Sequence, residues 1–255
     1  MTTSRIQHSF ARSQHSYHSA AIAQAQIAGL LVDDLAAAGA PDSFQHALEF
    51  GCGTGHLTKA LLHRFAIGNL ALNDLVAESA AAVQPILQGH KTATTFHAGA
   101  VETLPLPQNL NLIASASTVQ WVADPTALIT RLADHLAPDG WLAISGFGRS
   151  HFAELRALGG GDAAPSYLDP ADWHALLPQG LRLHSVTART ISLQFPTAIS
   201  LLRHLRQTGV NANARRHWTR AKLAAFEANL RASQPGEGPI TLTYCPVFVV
   251  AQKQP

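Results

Sequence analysis

The spacing of apolar residues changes period repeatedly along the chain, and each change marks an element. From 19 to 38 an Ala-rich stretch carries Ile22, Ile27, Leu30, Leu31 and Leu35 at helical spacing, and Gly39 and Pro41 end it. The short apolar run 47–50 predicts a buried strand. Gly51-Cys52-Gly53-Thr54-Gly55 breaks that strand sharply, and 57–65 returns to helical spacing. The order strand, glycine loop, helix then gives way to a repeating rhythm. Strands are predicted at 69–73, 93–97, 110–115 and 141–145, and helices at 77–87 and 126–136. A polar, Pro-containing loop fills 102–109, and the turn Pro138-Asp139-Gly140 announces the strand after it. Short apolar strands alternating with helices predict a parallel sheet covered on both faces.

After Ser145 the rhythm changes. Residues 146–161 read as loop and short helix, and 169–177 as another short helix. Long strands are predicted at 181–195 and 241–251, with helices at 197–207 and 219–231 between them. The expectation is an α/β, Rossmann-like doubly wound domain. Its mostly parallel seven-stranded sheet ends in an antiparallel strand, with helices on both faces and helical insertions as a substrate cap. One domain accounts for 1–255: an N-terminal helical cap segment (1–40), a cofactor-binding core (46–146), cap insertions (147–178 and 197–235) and late strands (181–195 and 240–251).

Composition narrows the function classes. A chain of 255 residues that is 47% hydrophobic can bury one sizeable core. The formal net charge of +2 does not by itself argue for nucleic acid. Cys52 and Cys245 are too few for a disulfide scaffold and fit a reducing compartment. No zinc-ligand spacing and no bilayer-length apolar run is present. Residues 1–31 lack acids and carry Arg5 and Arg12, a composition that organelle transit peptides share. A cytoplasmic monomer without nucleic-acid or membrane partners is the expectation.

The glycine loop carries the first chemistry. In an open parallel sheet, ligands bind at the carboxyl ends of strands where the topology reverses. A glycine turn there lets a cofactor approach the backbone, and the next helix presents free N–H groups. Nicotinamide dinucleotides want G-x-G-x-x-G, whereas here the spacing is Gly51-x-Gly53-x-Gly55 with His56 next. Glu49 before the loop would repel a pyrophosphate but suits the ammonium end of a methionine moiety. Asp74 ends the second strand, where an acid can accept from both ribose hydroxyls. The combination points to S-adenosyl-L-methionine, with S-adenosyl-L-homocysteine as product, and to Glu49, Gly51, Cys52, Gly53, Gly55 and Asp74 as the core of its site.

Residues 97–105 (His-Ala-Gly-Ala-Val-Glu-Thr-Leu-Pro) resemble the adenine-binding stretch of class I methyltransferases. Ala100 stands where that family usually has an acid, so backbone and apolar stacking must hold adenine here. The resemblance implies cofactor contacts at Leu75, Ala100, Val101 and Ser115. Further segments resemble the malonyl-acyl-carrier-protein O-methyltransferases of biotin synthesis. They are Phe10-Ala-Arg12 through Tyr17 to Ala20, 70–75 (Leu-Ala-Leu-Asn-Asp-Leu), 117–124 with Gln120-Trp121, 147–156 with Glu154-Leu155-Arg156, and 203–212 with Thr208-Gly209-Val210-Asn211. His18 departs from the acid usual there.

That resemblance implies methylation of the free carboxylate of a malonyl thioester on acyl carrier protein. A carboxylate, with an ordinary pKa of about 4, is already ionised at neutral pH and needs no general base or metal. It must be held in line with the sulfonium methyl. The candidates to hold it are Tyr17, Arg156 and His151, with Gln120 and Trp121 near the acceptor. Arg203, Arg206, Arg215, Arg216, Arg220 and Lys222 form a basic cluster with no acid between its ends, a docking face for the acidic carrier protein. A methyltransferase acting on a small metabolite without a carrier is the second reading. A binding-only subunit and a nicotinamide dehydrogenase are the others, disfavoured by the intact loop and by the glycine spacing.

Overall fold

The computed structural model describes residues 22–159, 164–208, 219–234 and 238–255. Its elements follow the sequence rhythm: α1 (Ile22–Ala37), β1 (Ser43–Phe50), α2 (His56–Arg64), β2 (Ala66–Asp74), α3 (Ser79–Leu87), β3 (Ala93–Ala98), β4 (Leu110–Ser115), α4 (Pro125–His135) and β5 (Leu136–Phe147). There follow α5 (Ala153–Ala157), α6 (Pro170–Leu176), β6 (Leu181–Ala188), β7 (Ile191–Phe195), α7 (Ala198–Gln207), α8 (Arg220–Ala232), β8 (Ile240–Tyr244) and β9 (Pro246–Lys253). Seven strands form one sheet in the order β3-β2-β1-β4-β5-β9-β6. β1 to β5 run parallel, and β9 lies antiparallel between β5 and β6. The expected α/β Rossmann-like architecture with its antiparallel late strand is therefore the observed one.

Each face of the sheet carries its own core. One gathers Leu31, Leu35, Phe44, Leu61, Leu70 and Phe248 under α1 and α2. The other gathers Leu48, Phe50, Ile113, Leu132 and Trp173 under α4 and α6. α1 was expected as part of a cap, but its described residues are a layer of the first core. Ile27 and Leu35 are fully buried, and Asp34 accepts from Thr187 and Arg189 at the end of β6. Among the described residues no helix is long and apolar enough to cross a membrane.

The two predicted long strands are each divided. Residues 181–195 become β6 and β7, and 240–253 become β8 and β9. β7 and β8 form a separate two-stranded ribbon. The register does not slip across the break: Ala188 pairs Val247, and Ile191, three residues on, pairs Tyr244, three residues back. Pro246 has no N–H for the ladder, and the Arg189 N–H bonds its carbonyl where the two ribbons meet. One long antiparallel ladder thus bends away from the sheet and carries β7, β8, α7 and α8 over its carboxyl edge.

Candidate active site

The sheet order reverses at β1, whose neighbours are β2 and β4. Their carboxyl ends open into a cavity. Its walls come from the loops after four parallel strands: Gly51, Gly53 and Thr54 after β1, Asp74 to Val76 after β2, Gly99 to Glu102 after β3, and Ala116 to Thr118 with Trp121 after β4. A ligand here lies where this topology places ligands.

The three glycines of the first loop all have positive φ, at 67°, 53° and 85°, yet they do different work. A Cβ on Gly51 would lie 2.1 Å from Thr118 Oγ1, and one on Gly55 would lie 2.3 Å from Ile86 Cδ1. Both are points of close packing. A Cβ on Gly53 would meet nothing within 4 Å. Gly53 faces the open cavity, so its missing side chain is space for a ligand.

Asp74 ties the loops together. Its carboxylate accepts from the Gly53 N–H at 2.7 Å and the Val76 N–H at 2.8 Å. Burial pushes its pKa up. Beside it, Asn73 donates to the carbonyls of His97 and Gly99, each at 2.9 Å, fixing the end of β3 against β2. Arg131 of α4 donates to the carbonyls of Val101 and Leu104, clamping the loop that presents Gly99 to Glu102. Two buried hydroxyl oxygens on the cavity wall, Thr54 Oγ1 and Ser117 Oγ, have no partner among the described residues. Such groups are costly until a ligand satisfies them. Ser117 also sits at φ 57°, with its N–H held by Ser145.

Several expected cofactor residues stand behind the cavity rather than on its wall. Glu49 is 1% exposed; its Oε2 accepts from Thr58 Oγ1 at 2.7 Å, and its Oε1 has no partner. Burial pushes its pKa up to about 8. Cys52 is buried with its N–H on the Asn73 carbonyl, and its thiol is pushed up by burial. The Ser115 hydroxyl donates to the Phe50 carbonyl at 2.7 Å, a tie between β4 and β1 that turns it away from the cavity. Leu75, Ala100 and Val101 do line it.

A second, smaller cavity shares Ser117 and Trp121 with the first. Gln24, Gln120, Phe147, His151, Ala164, Tyr167, Thr208 and Tyr244 complete its wall. His151 stacks between Phe147 and Phe152, with centroids 3.9 and 3.7 Å away, and burial lowers its pKa to about 3. Tyr244 bonds His204 across 2.7 Å.

Arg156, the expected carboxylate clamp, lies on the exposed side of α5. Glu154 on α5 turns inward to accept from the N–H and hydroxyl of Thr243. Residues two apart on a helix point to different sides, so Arg156 is exposed and lines neither cavity. Tyr17 lies outside the described residues.

A methyltransferase domain model matches residues 23–210. The chain is 34% identical, over 96% of both chains, to the malonyl-[acyl-carrier protein] O-methyltransferase of Bacteroides helcogenes. The chain belongs to this methyltransferase family. It is also 34% identical to the enzyme of the same name from Acinetobacter baylyi, over 99% of this chain and 98% of that one. Among solved structures, a Bacillus halodurans protein assigned as a methyltransferase superposes with a TM-score of 0.65 at 12% identity, covering 88% of this chain and 99% of the other. The chain is thus an O-methyltransferase.

The methyltransferase's basic cluster is partly visible. Arg203 and Arg206 lie on the exposed side of α7, and Arg220 and Lys222 are exposed in the first turn of α8. Arg215 and Arg216 lie outside the described residues. Thr54, Asn73, Ser117 and Arg131 are the site residues that sequence reasoning missed. Thr54 stood inside the recognised loop, but nothing in the pattern marks Arg131, whose work depends on a fold-level contact.

Proposed function

We propose that this enzyme binds S-adenosyl-L-methionine in the larger cavity and methylates the free carboxylate of malonyl-acyl-carrier protein, releasing S-adenosyl-L-homocysteine. The observation that carries the cofactor reading is the Gly53–Asp74 contact. An open, side-chain-free approach stands beside a buried carboxylate with acceptor capacity left for ribose hydroxyls. Leu75, Ala100 and Val101 offer an apolar slot for adenine, and Thr54 and Ser117 supply unpartnered hydroxyls.

When bound, the cofactor supplies an electrophilic methyl on a sulfonium. The chain's own work is to orient and to exclude water. The loop after β4 brings Ser117 and Trp121 between the two cavities. An acceptor in the smaller cavity is thereby placed against the larger. Residues 164–168 cover both. Ser166 donates from its N–H to the Gln120 carbonyl and from its hydroxyl to the Val122 carbonyl, and Leu168 N–H bonds the Phe147 carbonyl.

The substrate reading is supported by the names of relatives that span nearly the whole chain. It is supported further by Arg203, Arg206, Arg220 and Lys222 on exposed helix faces, suited to an acidic carrier protein. Calorimetry tests the cofactor reading. Asp74→Ala is expected to raise the Kd for S-adenosyl-L-homocysteine by at least about tenfold, the loss of hydrogen bonds to a charged acceptor. Unchanged affinity would remove the cofactor from this cavity.

A further inference from the structure

The smaller cavity is lined by hydrogen-bonding side chains that the fold leaves incompletely satisfied. Gln24 is 7% exposed and Gln120 4% exposed, and among the described residues neither Oε1 has a partner. Ser117 Oγ, on the wall shared with the cofactor cavity, is a third. Burying three such atoms around one space costs stability unless something occupies it.

The donors in this space can be worked out. Gln120 Nε2 gives one of its two hydrogens to the Ser117 carbonyl at 2.6 Å, which fixes the amide's orientation and leaves Oε1 as an acceptor. The Gln24 amide is not pinned in this way, and a half-turn about its last bond presents its NH₂ group. His151 Nδ1 accepts from the Cys245 N–H at 3.4 Å, which leaves the proton of the neutral ring on Nε2. The Ser117 hydroxyl rotates and can donate. Among the described residues no Lys or Arg lines the cavity.

We infer that this cavity seats the methyl-accepting carboxylate and holds it with uncharged donors, the Nε2–H of His151, the Gln24 amide and the Ser117 hydroxyl. The inference rests on the carboxyl-methylation reading above. In the transfer, a carboxylate oxygen forms the bond to the methyl carbon as the carbon–sulfur bond breaks, its electron pair leaving with sulfur. No proton moves, and the negative charge of the acceptor and the positive charge of the donor disappear together. An Arg clamp would stabilise the anion more than the uncharged ester and so oppose the step. A neutral donor keeps its bond to the second oxygen, which becomes the ester carbonyl. The aromatic walls of Phe147, Phe152 and Tyr244 around His151 keep that anion poorly solvated beside the cofactor.

The test uses His151→Phe, Gln24→Leu, His151→Gln and Arg156→Ala, each checked for unchanged S-adenosyl-L-homocysteine affinity. With that product bound, Kd is measured for malonyl- and acetyl-carrier protein, which differ in the carboxylate, and kcat/KM is measured for malonyl transfer. The wild type is expected to prefer the malonyl form. His151→Phe and Gln24→Leu should each lose that preference and about tenfold or more of kcat/KM. His151→Gln, which keeps an N–H donor, should recover part of both, and Arg156→Ala should keep both. Preference retained in both His151→Phe and Gln24→Leu, or lost in Arg156→Ala, overturns the assignment while leaving the substrate standing. A wild type that binds S-adenosyl-L-homocysteine but neither prefers nor methylates the malonyl form overturns the substrate reading and the inference together.

Discussion

Glu49 is a carboxylic acid held almost wholly out of water. Its surroundings are Thr58, which bonds one oxygen, and the neighbouring Asp74, whose charge adds to the effect of burial. With a folded pKa of about 8 against an unfolded value of about 4.3, only the folded state keeps the proton between those limits. Stability contributed by that proton falls as pH rises through the interval. His151 acts in the opposite sense. Neutral when folded, it costs stability as pH falls below about 6.5 towards 3. From about pH 6.5 to 8 the Glu49 effect therefore stands clear of that of His151. Thermal unfolding of the cofactor-free protein should show Tm falling across that window, with Glu49→Gln flattening the fall; an equal slope in both proteins would contradict the assignment. The glycines give a second test at this scale. Gly55→Ala must displace Ile86 at an unfavourable φ, and a loss of about 1–3 kcal/mol is expected in denaturant unfolding. Gly53→Ala meets open space, so it should cost less stability and lose more cofactor affinity.

Among the elements, α8 breaks a local rule. Its first turn holds Arg220 and Lys222 and no acid, although the positive end of the helix dipole favours acids there. Thr219 accepts from the Lys222 N–H and caps the helix, but the two charges work against it. Departures of this kind are expected where function outweighs stability. Arg220→Glu should therefore stabilise the protein slightly, by about 0.3–1 kcal/mol, while raising the KM for a carrier-protein substrate. A variant with unchanged KM at low salt would detach α8 from docking. The late ladder shows the limit of pattern reading at this scale. Strand periodicity marked 181–195 and 241–251 as extended, and the structure pairs them. It did not reveal that Pro246 would bend them into two ribbons, because a proline's effect depends on which side of the ladder its missing N–H faces.

For the whole molecule, the parallel sheet was legible because buried strands and amphipathic helices alternate with little ambiguity. The place of the larger cavity followed from it, since the glycine loop and Asp74 are local features with a fixed position in such a sheet. The acceptor cavity was not legible in the same way. Gln24 on α1, Ser117 and Gln120 after β4, His151 before α5 and Tyr244 on β8 are spread over more than two hundred residues, and only the bent ladder brings them together. Arg156 shows the converse. Its type suggested a clamp, and it stands exposed on α5, two residues from Glu154, which bonds Thr243. The molecule so assembled offers two cavities that share Ser117 and Trp121, and exposed basic residues on α7 and α8.

The most direct measurement is transfer of labelled methyl from S-adenosyl-L-methionine to malonyl-acyl-carrier protein, beside malonyl-CoA and free malonate. The account predicts label in the carrier-bound ester with a kcat/KM well above that of the other two acceptors, and a preference that weakens as salt screens the basic faces. Equal transfer to free malonate, or cofactor binding with transfer to none of the three, would contradict it.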